Sequence, residues 1–378
     1  YIIGFDRLNF NDVDLILSGE NAVLSALTRI SGVEIRDTAG TFIGARLGRP
    51  EKAKMREMET NPNVLFPVGE SGGKMRNIVD AAESQFCEAE YGTFFCNHCN
   101  KYTIYPTCEI CGNHTTPIYT CKVCGAQVKE RVHHGKETSL KVRKKIDLKH
   151  YLEEAYNKLG INEKLDVIKG VKGVFNSVGE IEFLEKGIIR AIYKLNVNKD
   201  GTVRFDAIEV PITHFKPKEI GTDIETLKSL GYTHDIYGEP LSNKDQILQL
   251  FPQDVILPAF GDGDNNAVDV FVRVSKMIDD ILTKFYNKGK LLNVNESKDL
   301  IGKLVIGLAP HTSAGTIGRI IGFSNTQGLF LHPFFHAAMR RNCDGDEAAL
   351  MLFEDALLNF DRLLLPDSRG AKYMDSPL

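Results

Sequence analysis

Near its C-terminal end the chain reads Arg340-Arg341-Asn342-Cys343-Asp344-Gly345-Asp346-Glu347, two carboxylates two positions apart with a glycine between them and two arginines just upstream. In an extended or sharply turned backbone, side chains at i and i+2 leave on the same side. Asp344 and Asp346 could therefore converge on one hard cation, with Gly345 letting the backbone bend close to it. Mg²⁺ suits such a pair, because it takes one or two carboxylates, keeps several waters and binds phosphate. The same residues admit a second reading. An apolar helix is predicted over 348–365, so Asp344 could cap its start while Glu347 completes a capping box.

A second group of residues carries metal chemistry. Six of the eight cysteines fall in three C-x-x-C pairs: Cys96 and Cys99, Cys108 and Cys111, Cys121 and Cys124. Thiolates at that spacing on a tight turn can share one tetrahedral Zn²⁺, and two such turns complete its four ligands. The first two pairs make one site. Cys121 and Cys124 then need partners, and His133 and His134 follow closest, with His114 and His98 as further candidates. The opening residues show no secretory signal pattern, so the cysteines are expected to bind metal in a reducing, cytoplasmic setting and not to form disulfides. Zinc would be a folding ligand, since so short and polar a stretch could hardly hold a fold without it.

With 378 residues, 43% of them hydrophobic and 25% charged, the chain has room for two or three globular domains. No apolar run is long enough to cross a membrane as a helix. The net charge of −4 argues mildly against a nucleic-acid binder, although a footprint needs only a local patch. Two patches exist. Arg46, Arg49, Lys52, Lys54 and Arg56 form one; Lys141, Arg143, Lys144, Lys145 and Lys149 form the other, and each could equally be a solvated face. Neither a Ser-His-Asp arrangement nor a P-loop is evident, Gly315 to Gly322 lacking the Lys-Ser/Thr that a P-loop needs. The chain begins without Met and ends abruptly, and is expected to be a segment of something longer.

The elements that must position these groups can be read from periodicity. A helix is predicted over 21–30, short strands over 33–35 and 41–45, a charged helix after Pro50, and a further helix over 77–86. Asp147 is a plausible N-cap for a helix ending at Gly160. Residues 188–210 read as a β-hairpin turning at Asn198-Lys199-Asp200-Gly201, and Pro211 to Lys218 as a loop. Gly261 to Asn266 resembles the start of a calcium loop but lacks its distal glutamate, and reads as a surface turn before an amphipathic helix over 268–286. Short buried strands over 303–308, 317–323 and 329–331, punctuated by glycine, suggest a small barrel from whose last part the carboxylates hang.

Carboxylates, Mg²⁺ and fixed cations together are the equipment of phosphoryl or nucleotidyl transfer. Asn342-Cys343-Asp344-Gly345-Asp346-Glu347, with His332-Pro333-Phe334-Phe335-His336 before it and Asp355-Ala356-Leu357-Leu358-Asn359-Phe360 after it, resembles the large subunit of the archaeal family D DNA polymerases. So do Gly44-Ala45-Arg46-Leu47-Gly48-Arg49-Pro50-Glu51-Lys52-Ala53, Pro211-Ile212-Thr213-His214-Phe215, Gly231-Tyr232-Thr233-His234-Asp235 and the stretch from Leu308 to Gly315, in family order along nearly the whole chain.

The resemblance implies an α+β fold of two double-psi β-barrels, as in multisubunit RNA polymerases, with an inserted zinc module and helical clamp elements. It places the first barrel and its basic loop in 1–85, the zinc module in 86–135, a clamp-like region in 136–240, a helical connector in 241–300 and the second barrel in 301–378. Asp344 and Asp346 match the metal-binding aspartates, with Asn342 where the RNA polymerase pattern has a further Asp. Lys52, with Lys54, Arg49 or Arg56, matches the basic loop that meets the triphosphate or primer-end phosphates; Arg46, His311, Arg340 and Arg341 are further candidate contacts. Implied partners are primer-template DNA, dNTPs, a small proofreading exonuclease subunit and, through regions outside this sequence, a sliding clamp. The family pattern continues with a fourth C-x-x-C pair where this chain has Glu130-Arg131-Val132-His133-His134-Gly135, so a second zinc either takes histidine ligands or is absent. Two rival readings are a non-catalytic, zinc-braced nucleic-acid-binding module and an RNA-synthesising relative with the same barrels.

Overall fold

The structure is a computed structural model that describes Leu24, Ser25, Thr28 and Gly32, then residues 61–174, 176, 178–308, 315–341 and 345–365. The chain divides into two compact units, Tyr1–Gly44 and Ala45–Leu378. In the first, Leu24, Ser25 and Thr28 are helical, within the helix predicted over 21–30. The strands expected over 33–35 and 41–45 and the charged helix after Pro50 lie outside the described residues. All that follows concerns the second unit.

Asn77 accepts a hydrogen bond from Val79 N–H and starts the helix Ile78–Glu83. That helix is shorter than the predicted 77–86, because Gln85 turns left-handed (φ 63°) and Phe86 already begins a strand. Strand β1 (Phe86–Gly92) leads into the cysteine-rich hairpins: β2 (Phe94–Cys96), β3 (Lys101–Thr103), β4 (Thr116–Pro117), β5 (Tyr119–Thr120), β6 (Gln127–Val128), β7 (Val132–His133) and β8 (Lys136–Glu137). Strand β9 (Lys141–Asp147) returns antiparallel along the whole of β1. Asp147 then caps the helix Leu148–Leu159 through His150 N–H, and Gly160 (φ 64°) ends it, as the sequence predicts.

The basic run of β9 finds its partners in this pairing. Lys141 meets Glu90 at 2.9 Å and Arg143 meets Glu88 at 2.7 Å. Lys144 donates to Gly92 O and Thr93 Oγ1, and burial pulls its ammonium down to about 8. Two of the patch's five cations are thus paired with the acidic strand opposite.

The start of the predicted 188–210 hairpin, as far as Ile192, belongs to a helix, Leu184–Ile192. Ile188 and Ile189 are fully buried, and a short apolar run does not by itself separate buried helix from buried strand. The turn at Asn198 to Gly201 is present, closed by Asn198 N–H to Thr202 O at 2.8 Å. Arg190, fully buried, holds this region together. Its guanidinium forks onto both oxygens of Glu182 (3.0 and 2.8 Å) and donates to Asn63 O and Gly201 O. Glu182 also accepts Leu65 N–H at 2.8 Å.

A closed six-stranded barrel follows: β10 (Phe205–Pro211), β13 (Asp254–Pro258), β14 (Leu304–Leu308), β15 (Gly315–Ser324), β16 (Gly328–Leu331) and β17 (Glu347–Leu352), in the order β10-β16-β13-β15-β14-β17. β10 with β16 and β13 with β15 run parallel, and the other four neighbours antiparallel. The strands predicted over 303–308, 317–323 and 329–331 are three of the six. Two others, β10 and β13, come from stretches assigned by resemblance to the clamp-like region and the helical connector. Between β10 and β13, the predicted loop after Pro211 holds β11 (His214–Phe215), which pairs with β12 (Leu248–Gln249), and the short helix Pro217–Ile220. The amphipathic helix predicted over 268–286 runs as Ala267–Asp280, capped by Asn266, and ends in a π-turn over Ile281–Phe285.

The helix predicted from Ala348 does not begin there. Residues 347–352 are β17, paired with β10 and β14, and the helix Phe353–Asn359 starts only beyond it. A strand closing a barrel packs on both faces, so its five apolar residues Ala348 to Leu352 are all buried and show no strand alternation. Glu347 therefore closes no capping box. Among the described residues, no helix is long and apolar enough to cross a membrane.

Truncating Arg190 would leave the Glu182 carboxylate buried without its partner. Arg190→Met is expected to destabilise the unit by about 3–5 kcal/mol. Denaturant unfolding measures this, and a loss below about 1 kcal/mol would mean that the fork contributes little.

Candidate catalytic loop and metal centres

The loop from Arg340 to Asp346 joins the helix Pro333–Ala338 to β17, and the barrel fixes both of its ends. The helix is seated by shape. Phe335 lies where a Cβ on Gly307 (β14) or Gly318 (β15) would stand, 2.8 and 2.9 Å from its ring carbons. Its first turn is capped by His332 Nδ1, which accepts Phe334 N–H at 3.1 Å. Burial, with His214 and His336 nearby, holds His332 below the usual imidazole range. Arg340 then turns left-handed (φ 61°) and is exposed, and Arg341 N–H returns to His336 O at 2.9 Å. At the other end Gly345 is left-handed (φ 89°), and Asp346 O accepts Glu209 N–H from β10 at 2.9 Å.

Asp346 is thus carried by a fixed backbone, and its side chain is 37% exposed. The Arg341 guanidinium lies 3.6 Å from Asp346 Oδ2 and also donates to Glu347 O at 3.2 Å. No described residue donates a hydrogen bond to the Asp346 carboxylate, which is partly exposed with one cation alongside. That is the donor chemistry of a hard-cation site shared with solvent and phosphate. Asn342 and Asp344 lie outside the described residues, as do His311 and the basic group Arg46, Arg49, Lys52, Lys54 and Arg56.

Sequence reasoning missed one feature beneath this loop. Glu209, at an inward position of β10, and His336, on the helix Pro333–Ala338, are both fully buried and 3.3 Å apart. Glu209 shares its alternate positions with Phe205, Ala207 and Pro211, and an acid on that otherwise apolar face was the available signal.

The cysteines assemble as their spacing predicts. The ligand atoms of Cys96, Cys99, Cys108 and Cys111 lie within 4.8 Å of one another, so this cluster could hold a metal ion such as zinc. The thiols are free: Cys96 and Cys111 stand 3.5 Å apart at sulfur, and Cys99 and Cys108 3.9 Å. Each C-x-x-C turn is followed by a residue with positive φ: Asn100 (52°), Gly112 (73°) and Gly125 (72°). In the second and third turns that glycine's N–H bonds back to the first cysteine's carbonyl at 2.9 Å. The turns point backbone N–H groups at sulfur, and the Cys99 N–H brings Cys96 down to about 7, toward the thiolate that binds metal.

Cys121, Cys124 and His133 form a second group within 4.8 Å, with Cys124 Sγ and His133 Nδ1 3.7 Å apart. The Cys124 N–H and His133 bring Cys121 down to about 6. His134 packs edge-on against His133, centroids 4.2 Å apart, but falls outside the group, as do His98 and His114. Among the described residues the second group therefore offers three ligands. Elemental analysis of the purified protein is expected to find two zinc ions, with Cys124→Ser or His133→Ala removing one and Cys108→Ser the other. One ion in the unaltered protein, indifferent to Cys124→Ser, would limit metal binding to the four-cysteine group.

Comparison with known proteins finds matches over most of the chain. The family profile "DNA polymerase II large subunit DP2, central domain" matches residues 3–130, and "DNA polymerase II large subunit DP2, catalytic domain" matches residues 160–378. The chain is 45% identical to the DNA polymerase II large subunit of Nanoarchaeum equitans over 99% of its own length and 33% of the relative's. Against the Archaeoglobus fulgidus protein of that name it is 47% identical over 96% of this chain and 32% of the relative, and against the Pyrococcus furiosus one 45% over 94% and 28%. It thus spans about a third of the length of these relatives. The chain belongs to the DNA polymerase II large subunit family.

Proposed function

We propose that this chain is the catalytic core segment of a DNA-directed DNA polymerase, adding deoxynucleotides to a primer 3′-hydroxyl in archaeal replication. The observation that carries the reading is Asp346, half-exposed on a left-handed glycine turn at the entry to a barrel strand, with the Arg341 guanidinium beside it. The match of residues 160–378 to a catalytic-domain profile supports it.

In this reading Asp344 and Asp346 would hold Mg²⁺. Bound there, Mg²⁺ would supply Lewis-acid stabilisation of charge on the phosphates and an easier deprotonation of the primer hydroxyl. The chain's own residues do the positioning. The Asp346 turn fixes one ligand, Arg341 orients its carboxylate, and Arg340, exposed, is placed for backbone phosphate. Lys52, with Lys54 or Arg49, would meet the triphosphate, and Arg46, Arg56, His311 and Asn342 complete the proposed contact set. The six-stranded barrel would be one of two double-psi barrels, the other lying in 1–85 with the basic loop. The zinc-binding hairpins in 86–135 would brace clamp elements over the duplex. A small proofreading subunit and a sliding clamp are the proposed partners, the latter through parts of the subunit outside this sequence.

Primer extension by the complete polymerase tests this. Asp344→Asn and Asp346→Asn are each expected to lower the rate by about 100-fold or more, while leaving binding of primer-template intact and steeply salt-dependent. Near-normal synthesis by either variant would exclude the assignment.

A further inference from the structure

We infer that Glu209 and His336 are a positioning pair that fixes the carboxylate loop, and so sets how tightly the loop binds a divalent cation. The inference rests on the metal-binding reading of Asp346.

The geometry is a closed circuit. Glu209 N–H holds Asp346 O at one end of the loop, and His336 O holds Arg341 N–H at the other, both at 2.9 Å. The side chains of these same two residues meet underneath, His336 Nδ1 to Glu209 Oε2 at 3.3 Å. Both residues are fully excluded from solvent, and none of their four side-chain nitrogens and oxygens makes a hydrogen bond with a described residue, so the 3.3 Å approach is the one polar contact either side chain has there. A carboxylate and an imidazole buried in an apolar barrel cost stability unless each answers the other. A leucine at either place would fill the space at less cost. The pair links β10 to the helix Pro333–Ala338 at the two residues whose backbones suspend the loop, so spreading the pair would spread the loop's ends. Glu209 and His336 do not reach Asp346 through their side chains; they act by holding its backbone, as residues behind a metal ligand commonly do.

The test uses the complete polymerase with primer-template and a non-hydrolysable dNTP. Mn²⁺ binding is followed by the electron paramagnetic resonance of free Mn²⁺, alongside the melting temperature and the affinity for primer-template without divalent cation. Glu209→Leu and His336→Leu are each expected to weaken Mn²⁺ binding about 10-fold, with cation-free DNA affinity unchanged. The double variant is expected to be no weaker than either single one, because the two act as a unit. If a leucine variant does not assemble, Glu209→Gln and His336→Asn replace it, with a smaller but still non-additive loss expected. Unchanged Mn²⁺ affinity, or a melting temperature and DNA affinity that fall while Mn²⁺ affinity holds, overturns the inference. Asp346→Asn is the control that separates the two ideas. If it too leaves Mn²⁺ binding intact, the metal-binding reading has failed, and not merely the positioning pair.

Discussion

A carboxylate that is to share a cation with moving substrates must hang from a backbone that does not move. In the proposed function Asp346 would meet that constraint through a main-chain hydrogen bond to β10, from Glu209 N–H, just where β17 enters the barrel. Much of the surrounding architecture serves this attachment. Barrel closure leaves β10 and β17 no freedom to slide, since each is paired on both sides. Phe335 over Gly307 and Gly318 sets the helix that delivers the chain to Arg340, and a side chain at either glycine would push that helix away. The fully buried Glu209 and His336 sit at the junction, where an otherwise apolar core accepts polar groups.

The cysteine hairpins solve the same problem differently. Strands β2 to β8 are two or three residues long, and many of their residues are exposed or half-buried. Little apolar burial is available to hold them, so local turn geometry has to. Of the three C-x-x-C turns, each followed by a residue with positive φ, the first two bring their sulfurs together in one group and the third joins His133 in another. The four-cysteine group is closed by its own ligands. The group of Cys121, Cys124 and His133 is more exposed and, among the described residues, offers three.

What the sequence revealed depended on whether the signal was local. Capping chemistry placed Asp147 and Gly160 at the ends of their helix, and cysteine spacing placed the first metal group. The glycine-punctuated strands announced a barrel. Two stretches were misread, Ile188 to Ile192 as strand and Ala348 to Leu352 as helix. The first is too short to tell strand from helix by pattern, and in the second burial on both faces erases the alternation that marks a strand. The strands β10 and β13 were not assigned to the barrel, because parallel pairing joins segments far apart in the chain. The junction of Glu209 with His336 has the same origin. Each residue taken alone is an unremarkable acid in a strand or histidine in a helix, and only the fold brings them together. The basic run of β9 could be read as a footprint or as a solvated face, and Glu88 and Glu90 answer two of its five charges across the β1 pairing.

The central claim is that one cation site draws on the Asp344–Asp346 loop and on the basic loop around Lys52. Site-directed cleavage tests it most directly: Fe²⁺ replaces Mg²⁺ in the assembled polymerase, and locally generated hydroxyl radicals cut the nearest backbone. The account predicts cuts within 340–346 together with cuts within 46–56, both suppressed by excess Mg²⁺. Cuts confined to the first segment, or absent from it, would contradict the claim.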